Sequence, residues 1–353
     1  MSDKEILIKA EVLEAFVAEL FHKAGMSLED AKFSAQGLVQ INLWGVDSHG
    51  VLRTPIYIQR LLSGAVNPTP EIKTVNGSLA MEVMDADDAH GFVAGREAMA
   101  RAIEIAEQFN VGVVGMIRSN HLGALGLYTQ MAVERGMIGI GMTNVVPNIV
   151  APGGSKPITG NNPIAVGIPT FGDFPFMLDI SLSNVSGGKL LLASKKGDKI
   201  PLGWATDKNG HPTDDPDEAF AGFLLPIGGH KGLGLSYMVD ILSGLITGGA
   251  FQKTMKGMYK YPDDPSLTGH FMLAINIENI ISREDMQARM DTFHQTLKES
   301  PMWDENQEMM LPGEIEYRTT QVRKENGIPL PPQLYDDLVA LGQELGTKQI
   351  LQG

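Results

Sequence analysis

A chain of 353 residues, 43% hydrophobic and 20% charged, is long enough for two domains and rich enough in apolar residues to bury a core. Its formal net charge of −14 repels phosphate backbones and anionic lipid, which sets nucleic acid and membrane aside as main partners. The absence of cysteine excludes disulfides, thiolate metal sites and cysteine nucleophiles. No run approaches the roughly 20 apolar residues of a membrane helix. The first segment, MSDKEILIKAEVLEAF, carries acids where a secretory signal has a basic flank and an apolar run, so the cytoplasm is the expected location. On so acidic a chain an anionic substrate needs a local pocket of Arg, Lys or His.

The first 65 residues have helical spacing. Val12, Leu13, Phe16, Val17, Leu20 and Phe21 recur on one face between Glu11 and His22, and Gly25 is a stop. Ser27, with Asp30 three residues on, opens a second helix that runs toward Gly45. A third starts with Thr54 as N-cap and Pro55 at the first helical position and ends at Gly64. Gly45 to Arg53 is then a connection between helices, where functional side chains can be presented.

From Leu79 the pattern changes. LAMEVMDADDAHG is a strand and turns, Phe92 to Phe109 a helix, and VGVVGMI (Val111 to Ile117) a buried strand. A helix from about Ala124 to Gly136, a strand at MIGIGMTN, and strand-like PIAVGIPT and FMLDIS follow. This alternation predicts an α/β layer. Pro226 to Gly234 is a glycine-rich connection into an apolar helix, Leu235 to Ile246. FMLAINIENI is a late strand, and the tail from Ser282 is helical and polar, broken around Leu311 to Glu314. The order leaves room for a domain formed from discontinuous segments.

Four segments can carry chemistry. In Ser48-His49-Gly50 with Arg53, a histidine can exchange protons near neutrality, and an arginine offers a fork that matches a carboxylate. The same residues also suit a capped turn. His121, in RSNHLGALGLY, follows a buried strand, a common place for ligands, and Gly123 and Gly126 allow close backbone approach. Pro226 to Gly234 sets His230 and Lys231 among glycines at a helix start, physically similar to a phosphate cradle though without P-loop spacing. Pro147 to Pro169 is a glycine-, proline- and asparagine-rich loop, a pocket lining or a set of tight turns. Asp179, at the end of FMLD, is a candidate partner for a histidine. No G-x-G-x-x-G follows a strand, so a Rossmann fold is not indicated, and no compact ligand cluster points to a metal. The residues by themselves lead to an enzyme with a histidine-based acid/base site.

The blocks DSHGVLR, SNHLGALGLY, GGSKPITGNNPIAV, FMLDIS, IPLGWATDKNGHPTDDP, PIGGHKGLGLSYMVDILSG and LPGE, in that order, resemble the type-2 malate/L-lactate dehydrogenase family over nearly the whole chain. That family also includes ureidoglycolate and sulfolactate dehydrogenases, diketogulonate reductase and a reductase of cyclic imino acids. The resemblance implies an α/β, α+β-like fold: a helical dimerisation domain beside a non-Rossmann nicotinamide-binding domain with a mixed sheet. The helical domain is expected over 1–73, joined by roughly 184–262 and 295–353. The cofactor domain is expected over 74–183 with 263–294.

The resemblance further implies hydride transfer between NAD or NADP and C2 of a small 2-hydroxy or 2-oxo carboxylic acid. The family's acid/base histidine falls on His49, with Ser48 beside it and Asp179 as relay partner, and its carboxylate-binding arginine on Arg53. His121 sits where ureidoglycolate dehydrogenase has its proton acceptor, so the two histidines compete for that role, and His121 is also expected against substrate and cofactor. Cofactor contacts fall on Asp179, Ile180, Ser181, Lys231, Pro312, Gly313 and Glu314. SLSNVSGGKLLLASKKGDK departs from the family's commoner small-residue pattern after the aspartate, which bears on cofactor preference. Reduction of cyclic imino acids is the nearest rival activity, since protonating an imine nitrogen needs the same acid. A cofactor-binding protein without turnover is the alternative from another class, disfavoured by an acid and an anion anchor standing together. The implied assembly is a homodimer, with Val12 to Phe21 and Leu235 to Ile246 as apolar segments suited to its interface.

Overall fold

Helical spacing in the first segment folds as expected in the computed structural model, which describes residues 5–351; the ends of the first and last expected segments lie outside the described residues. After a short strand β1 (Ile6–Ile8) come α1 (Ala10–Lys23) and α2 (Leu28–Leu43). Ser27 caps α2, its hydroxyl accepting the Asp30 amide at 3.1 Å. α3 (Thr54–Leu62) begins at Thr54 itself, one residue earlier than expected. Leu13, Phe16, Val17, Leu20 and Phe21 of α1 are buried against Leu38, Ile41 and Tyr57 and against Leu334 and Leu338 near the C-terminus. α1 is therefore core, and the expectation that Val12 to Phe21 forms a subunit interface is corrected: its apolar face is used inside the chain.

A hairpin of β2 (Lys73–Ser78) and β3 (Met81–Asp85) leads to α4 (Gly91–Phe109), β4 (Val111–Ser119), α5 (Gly126–Glu134) and β5 (Met137–Thr143). Short strands β6 (Ile149–Val150) and β7 (Pro157–Thr159) precede β8 (Ile164–Ile168) and β9 (Phe176–Ile180). Next come α6 (Gly187–Lys196), β10 (Ala205–Thr206), α7 (Pro216–Ala221) and β11 (Phe223–Leu224). The helix expected from Leu235 starts earlier, at His230, as α8 (His230–Asp240), and continues with wider π turns over Ile241–Leu245. β12 (Thr268–Asn276), α9 (Arg283–Lys298), α10 (Glu314–Asn326), β13 (Ile328–Leu330) and α11 (Pro332–Leu345) complete the chain.

The main sheet has the order β2-β3-β4-β12-β5-β8-β9. β3 and β4 are parallel and the other neighbours antiparallel. β4 and β5, joined through α5, would pair in a simple β-α-β unit, but the late strand β12 lies between them. α4 lays Ala98, Met99, Ala102 and Ala106 on this sheet in a second core with Val114, Met116 and Met272. β10-β11-β6-β7 form a smaller sheet, and β1 pairs with β13, tying the two ends of the chain together.

Candidate active site

DSHGVLR makes two tight turns, Asp47–His49 and Val51–Arg53, between α2 and α3. Asn42, buried at the end of α2, holds both. Its Nδ2 donates to Asp47 Oδ1 at 2.6 Å, and its Oδ1 accepts the Val51 amide at 2.8 Å. Arg323 of α10 forks onto both carboxylate oxygens of Asp47, at 2.6 and 2.9 Å. Only glycine fits at position 50, because a Cβ there would lie 2.1 Å from Asn42 Oδ1. The residues on either side of Gly50 are thus clamped, and His49 with them.

His49 Nδ1 lies 2.9 Å from the Ser48 hydroxyl. Arg53 Nε donates to the Ser48 carbonyl at 2.7 Å. The same guanidinium donates to the Tyr259 hydroxyl and lies 5.4 Å from that ring's centre. These partners are neutral, so the charge of Arg53 is left for an anion. His121 stands opposite, in the turn after β4. Its ring and that of His49 are 5.6 Å apart and inclined by 28°. Tyr57, from α3, places its hydroxyl 2.6 Å from His121 Nδ1, and the Gly123 amide donates to the same nitrogen at 3.3 Å. Burial, then the nearby Arg53, pushes His49 down to about 4. His121 is held well below the usual histidine range by burial first and then by His49 and Arg53. Both rings are neutral at pH 7.

Behind them, the buried Arg60 of α3 donates to the carbonyls of Tyr261, Pro262 and Asp264, to Ser266 Oγ and to Asn120 Oδ1, at 2.9–3.1 Å. One guanidinium thereby joins the loop carrying Tyr259, the helix that follows Arg53 and the residue before His121.

β9 carries the other side of the site. Asp179 Oδ2 accepts the Gly126 amide at 2.7 Å, beside the His121 turn. No direct relay to His49 is made: the His49 ring bonds Ser48, and the Asp179 carboxylate is taken by backbone. Asp179 is exposed, yet the protein mass around it pushes its carboxyl up to about 6, against the pull of the Gly126 amide.

Past β9, the Ile227 amide donates to the Leu182 carbonyl at 3.0 Å and Ser183 bridges Pro226, so Ile180 and Ser181 come next to the turn that carries Lys231. Lys231 is exposed at the start of α8. The Met177 amide donates to the Pro312 carbonyl at 3.2 Å, which sets Pro312 and Gly313 against the same strand. Glu314 differs from the expectation for a cofactor contact: it is buried, and its carboxylate already accepts Lys298, Arg318 and the Leu311 amide.

A nicotinamide dinucleotide fits this surface. At Gly187 and Gly188, and at Gly228 and Gly229, an added Cβ would meet nothing closer than 4.0 Å, and the nearest atoms to Gly188 include Ser48 Cβ. Open glycine backbone, the Lys231 ammonium and the Ser181 hydroxyl suit phosphates and riboses, and Gly188 brings this backbone up to Ser48, beside His49. Among the described residues no group of three or more His, Cys, Asp or Glu side chains is arranged to hold a metal ion.

Sequence reasoning missed Tyr57, Asn42, Arg60 and Tyr259. Tyr57 had a signal: it lies in the first turn of the helix that Arg53 leads into. Tyr259 had none, being 206 residues from its partner.

Two neutral imidazoles facing each other, beside an arginine that no acidic group among the described residues neutralises, suit proton transfer on a small carboxylic acid. The sequence model of the malate/L-lactate dehydrogenase family matches residues 8–339. A malate dehydrogenase of Pyrococcus abyssi is 38% identical, with 99% of this chain and 97% of that protein covered. The solved sulfolactate dehydrogenase of Methanocaldococcus jannaschii superposes with a TM-score of 0.91 at 38% identity, over 97% of this chain and 98% of that one. A delta1-piperideine-2-carboxylate reductase from Pseudomonas syringae gives a TM-score of 0.84 at 27% identity, covering 95% and 99%. The chain belongs to the malate/L-lactate dehydrogenase family. It is a nicotinamide-dependent oxidoreductase of the 2-hydroxy-acid class, with a small-molecule substrate.

Proposed function

We propose that this chain interconverts a small 2-hydroxy acid and its 2-oxo acid, with Arg53 holding the carboxylate and the His49–His121 pair handling the C2 oxygen. The observation that carries the reading is the pair itself: two rings 5.6 Å apart with an uncompensated guanidinium bonded to the backbone between Ser48 and His49. The bound nicotinamide supplies or accepts the hydride at C2. The protein binds the acid group, orients C2 toward the β9 side, and exchanges the proton of the C2 oxygen. Asp179, Ile180 and Ser181, with Lys231 and the backbone at Pro312 and Gly313, are the groups assigned to the cofactor. His121 bonds the substrate oxygen.

Reduction of a cyclic imino acid is the second reading, favoured by the likeness to the piperideine-2-carboxylate reductase. It uses the same acid and anchor. A panel of 2-oxo acids and cyclic imines, assayed with NADH and with NADPH, tests both readings. Turnover of a 2-oxo acid is expected, and inertness toward every member would refute the proposal.

The working form is proposed to be a cytoplasmic homodimer. Location follows from dependence on a nicotinamide pool held inside cells; among the described residues no helix is long and apolar enough to cross a membrane. For the dimer, Leu235, Ile241, Leu245 and Ile246 stand 44–60% exposed on one helical segment. A row of this kind is costly in water and suits an interface. The proposed domain division, 1–73 with 184–262 and 295–353 against 74–183 with 263–294, draws support from two cores only for its first and last segments. One joins residues 8–66 to 328–351 and also takes in Phe92 and Val93, the other joins 84–165 to Met272 and Ala274, and Val185 to Ala219 form a cluster of their own.

A further inference from the structure

We propose that Tyr57 is the positioning residue of His121, fixing the imidazole with its proton on Nε2, so that His121 donates to the C2 oxygen while His49 exchanges the proton. The inference deepens the dehydrogenase reading and rests on it. The Gly123 amide bears on the tautomer first. A backbone amide can only donate, and this one points at His121 Nδ1 from 3.3 Å, so that nitrogen presents its lone pair. Tyr57 Oη is 2.6 Å from the same nitrogen and therefore donates as well. Tyr57 is 3% exposed, and burial raises its pKa well above the usual tyrosine range, which keeps the phenol protonated and a donor over the working pH range. With Nδ1 taken by two donors, the single proton of the neutral ring sits on Nε2.

His49 is held differently. Its Nδ1 faces only the Ser48 hydroxyl, at 2.9 Å, and a hydroxyl can donate or accept. His49 is therefore free to carry its proton on either nitrogen, as a group that gains and loses one must. His121 has no such freedom. In the oxidative direction the O–H bond of the substrate breaks, and its proton passes to His49 Nε2. The electron pair on oxygen closes to C=O; the oxidised nicotinamide, when bound, would be the acceptor of the C2 hydride. The Nε2–H of His121 stays on its ring throughout and strengthens its bond as charge builds on the oxygen. In reduction the same steps run backward, with His49 giving the proton.

The test uses the full chain labelled with ¹⁵N-histidine, the His121 signals being assigned by their loss in His121→Gln. The wild-type spectrum between pH 5.5 and 8 is expected to show His121 neutral with Nε2 protonated, and His49 exchanging between forms. Tyr57→Phe keeps the ring and its packing and removes one donor. It is expected to lower kcat on the order of 10²-fold, since the misplaced group acts at the reacting oxygen, to leave KM nearly unchanged, and to mix the His121 tautomers, because the remaining Gly123 contact, at 3.3 Å, is too long to hold the proton on Nε2 alone. A wild-type His121 protonated on Nδ1 would overturn the proposal, and so would a Tyr57→Phe enzyme with unaltered tautomer, whatever its kcat. The wild-type spectrum decides the matter even if Tyr57→Phe folds poorly. Inertness of the wild type toward the whole substrate panel would instead refute the dehydrogenase reading, and the spectrum would still report the tautomer.

Discussion

Gly50→Ala isolates the device that holds His49 in place. The added methyl would lie 2.1 Å from Asn42 Oδ1, 2.4 Å from its Cγ and 2.7 Å from its Nδ2, so either the side chain or the turn must move. Overpacking of this kind costs about 1–3 kcal/mol. Displacing Asn42 also strips the buried Val51 amide of its acceptor, about 1–3 kcal/mol more. Asp47 loses one donor but keeps Arg323, which limits the damage there. A total destabilisation of about 2–6 kcal/mol is expected. A shift of His49 by about 1 Å would also lower kcat on the order of 10²-fold in the folded fraction. Urea unfolding and steady-state kinetics of Gly50→Ala, Asn42→Ala and the double variant form the cycle. Removing Asn42 opens room for the methyl, so the double variant should be less destabilised than the sum of the singles, by at least 1 kcal/mol. Simple additivity would show that the methyl does not meet Asn42, and the clamp argument would fail.

Arg53→Lys should raise KM for the acid and lower kcat/KM, because a point charge replaces the fork; unchanged kinetics with a lower melting temperature would make Arg53 structural. Lys231→Ala should weaken dinucleotide binding by about 1–3 kcal/mol in a direct titration, and unchanged affinity would remove Lys231 from the cofactor site. His90 and His270 are buried, and burial holds both down to about 3, against about 6.5 in the unfolded chain. Between those values the unfolded chain binds protons that the folded one does not. The stability from these two groups is therefore complete above about pH 6.5 and is lost as pH falls toward 3. At pH 5 the loss is about 4 kcal/mol, and equal urea midpoints at pH 7.5 and 5 would contradict it. Ile241→Glu with Leu245→Glu should yield monomer on light scattering and reduced specific activity on dilution; a wild-type chain that is already monomeric at full activity would end the dimer proposal.

Local patterns were legible wherever one helix or strand face is buried. Period and caps located α1, α2, α4 and the strands Val111–Ser119, Met137–Thr143 and Thr268–Asn276 to within a few residues. The order of the strands was not legible. β12 carries no mark that it fits between β4 and β5 rather than on an edge; only pairing across more than 120 residues decides that. Apolar content also failed to separate core from interface. Val12 to Phe21 and Leu235 to Ile246 are equally rich in large apolar residues, yet α1 finds partners at both ends of the chain, and the second segment leaves a row of side chains in water.

The same limit explains what could and could not be known of the anion anchor. On a chain of net charge −14 most cations near the site are engaged internally: Arg323 by Asp47, Arg318 and Lys298 by Glu314 and Glu308. Arg53 and Arg60 are the exceptions beside the histidines, and both bond only neutral groups. Residue type and spacing offer no way to rank them, since they lie seven residues apart; only the resemblance carried by DSHGVLR pointed to Arg53. Burial ranks them. Arg60 is 1% exposed, with its nitrogens saturated by three carbonyls, an amide oxygen and a hydroxyl, so no substrate reaches it. Arg53 is only half-buried and holds its fork at the mouth of the site. An anion brought there would meet a guanidinium that no carboxylate among the described residues already engages. Arg60, equally charged and three residues on from Tyr57, holds the wall behind this proposed anion site.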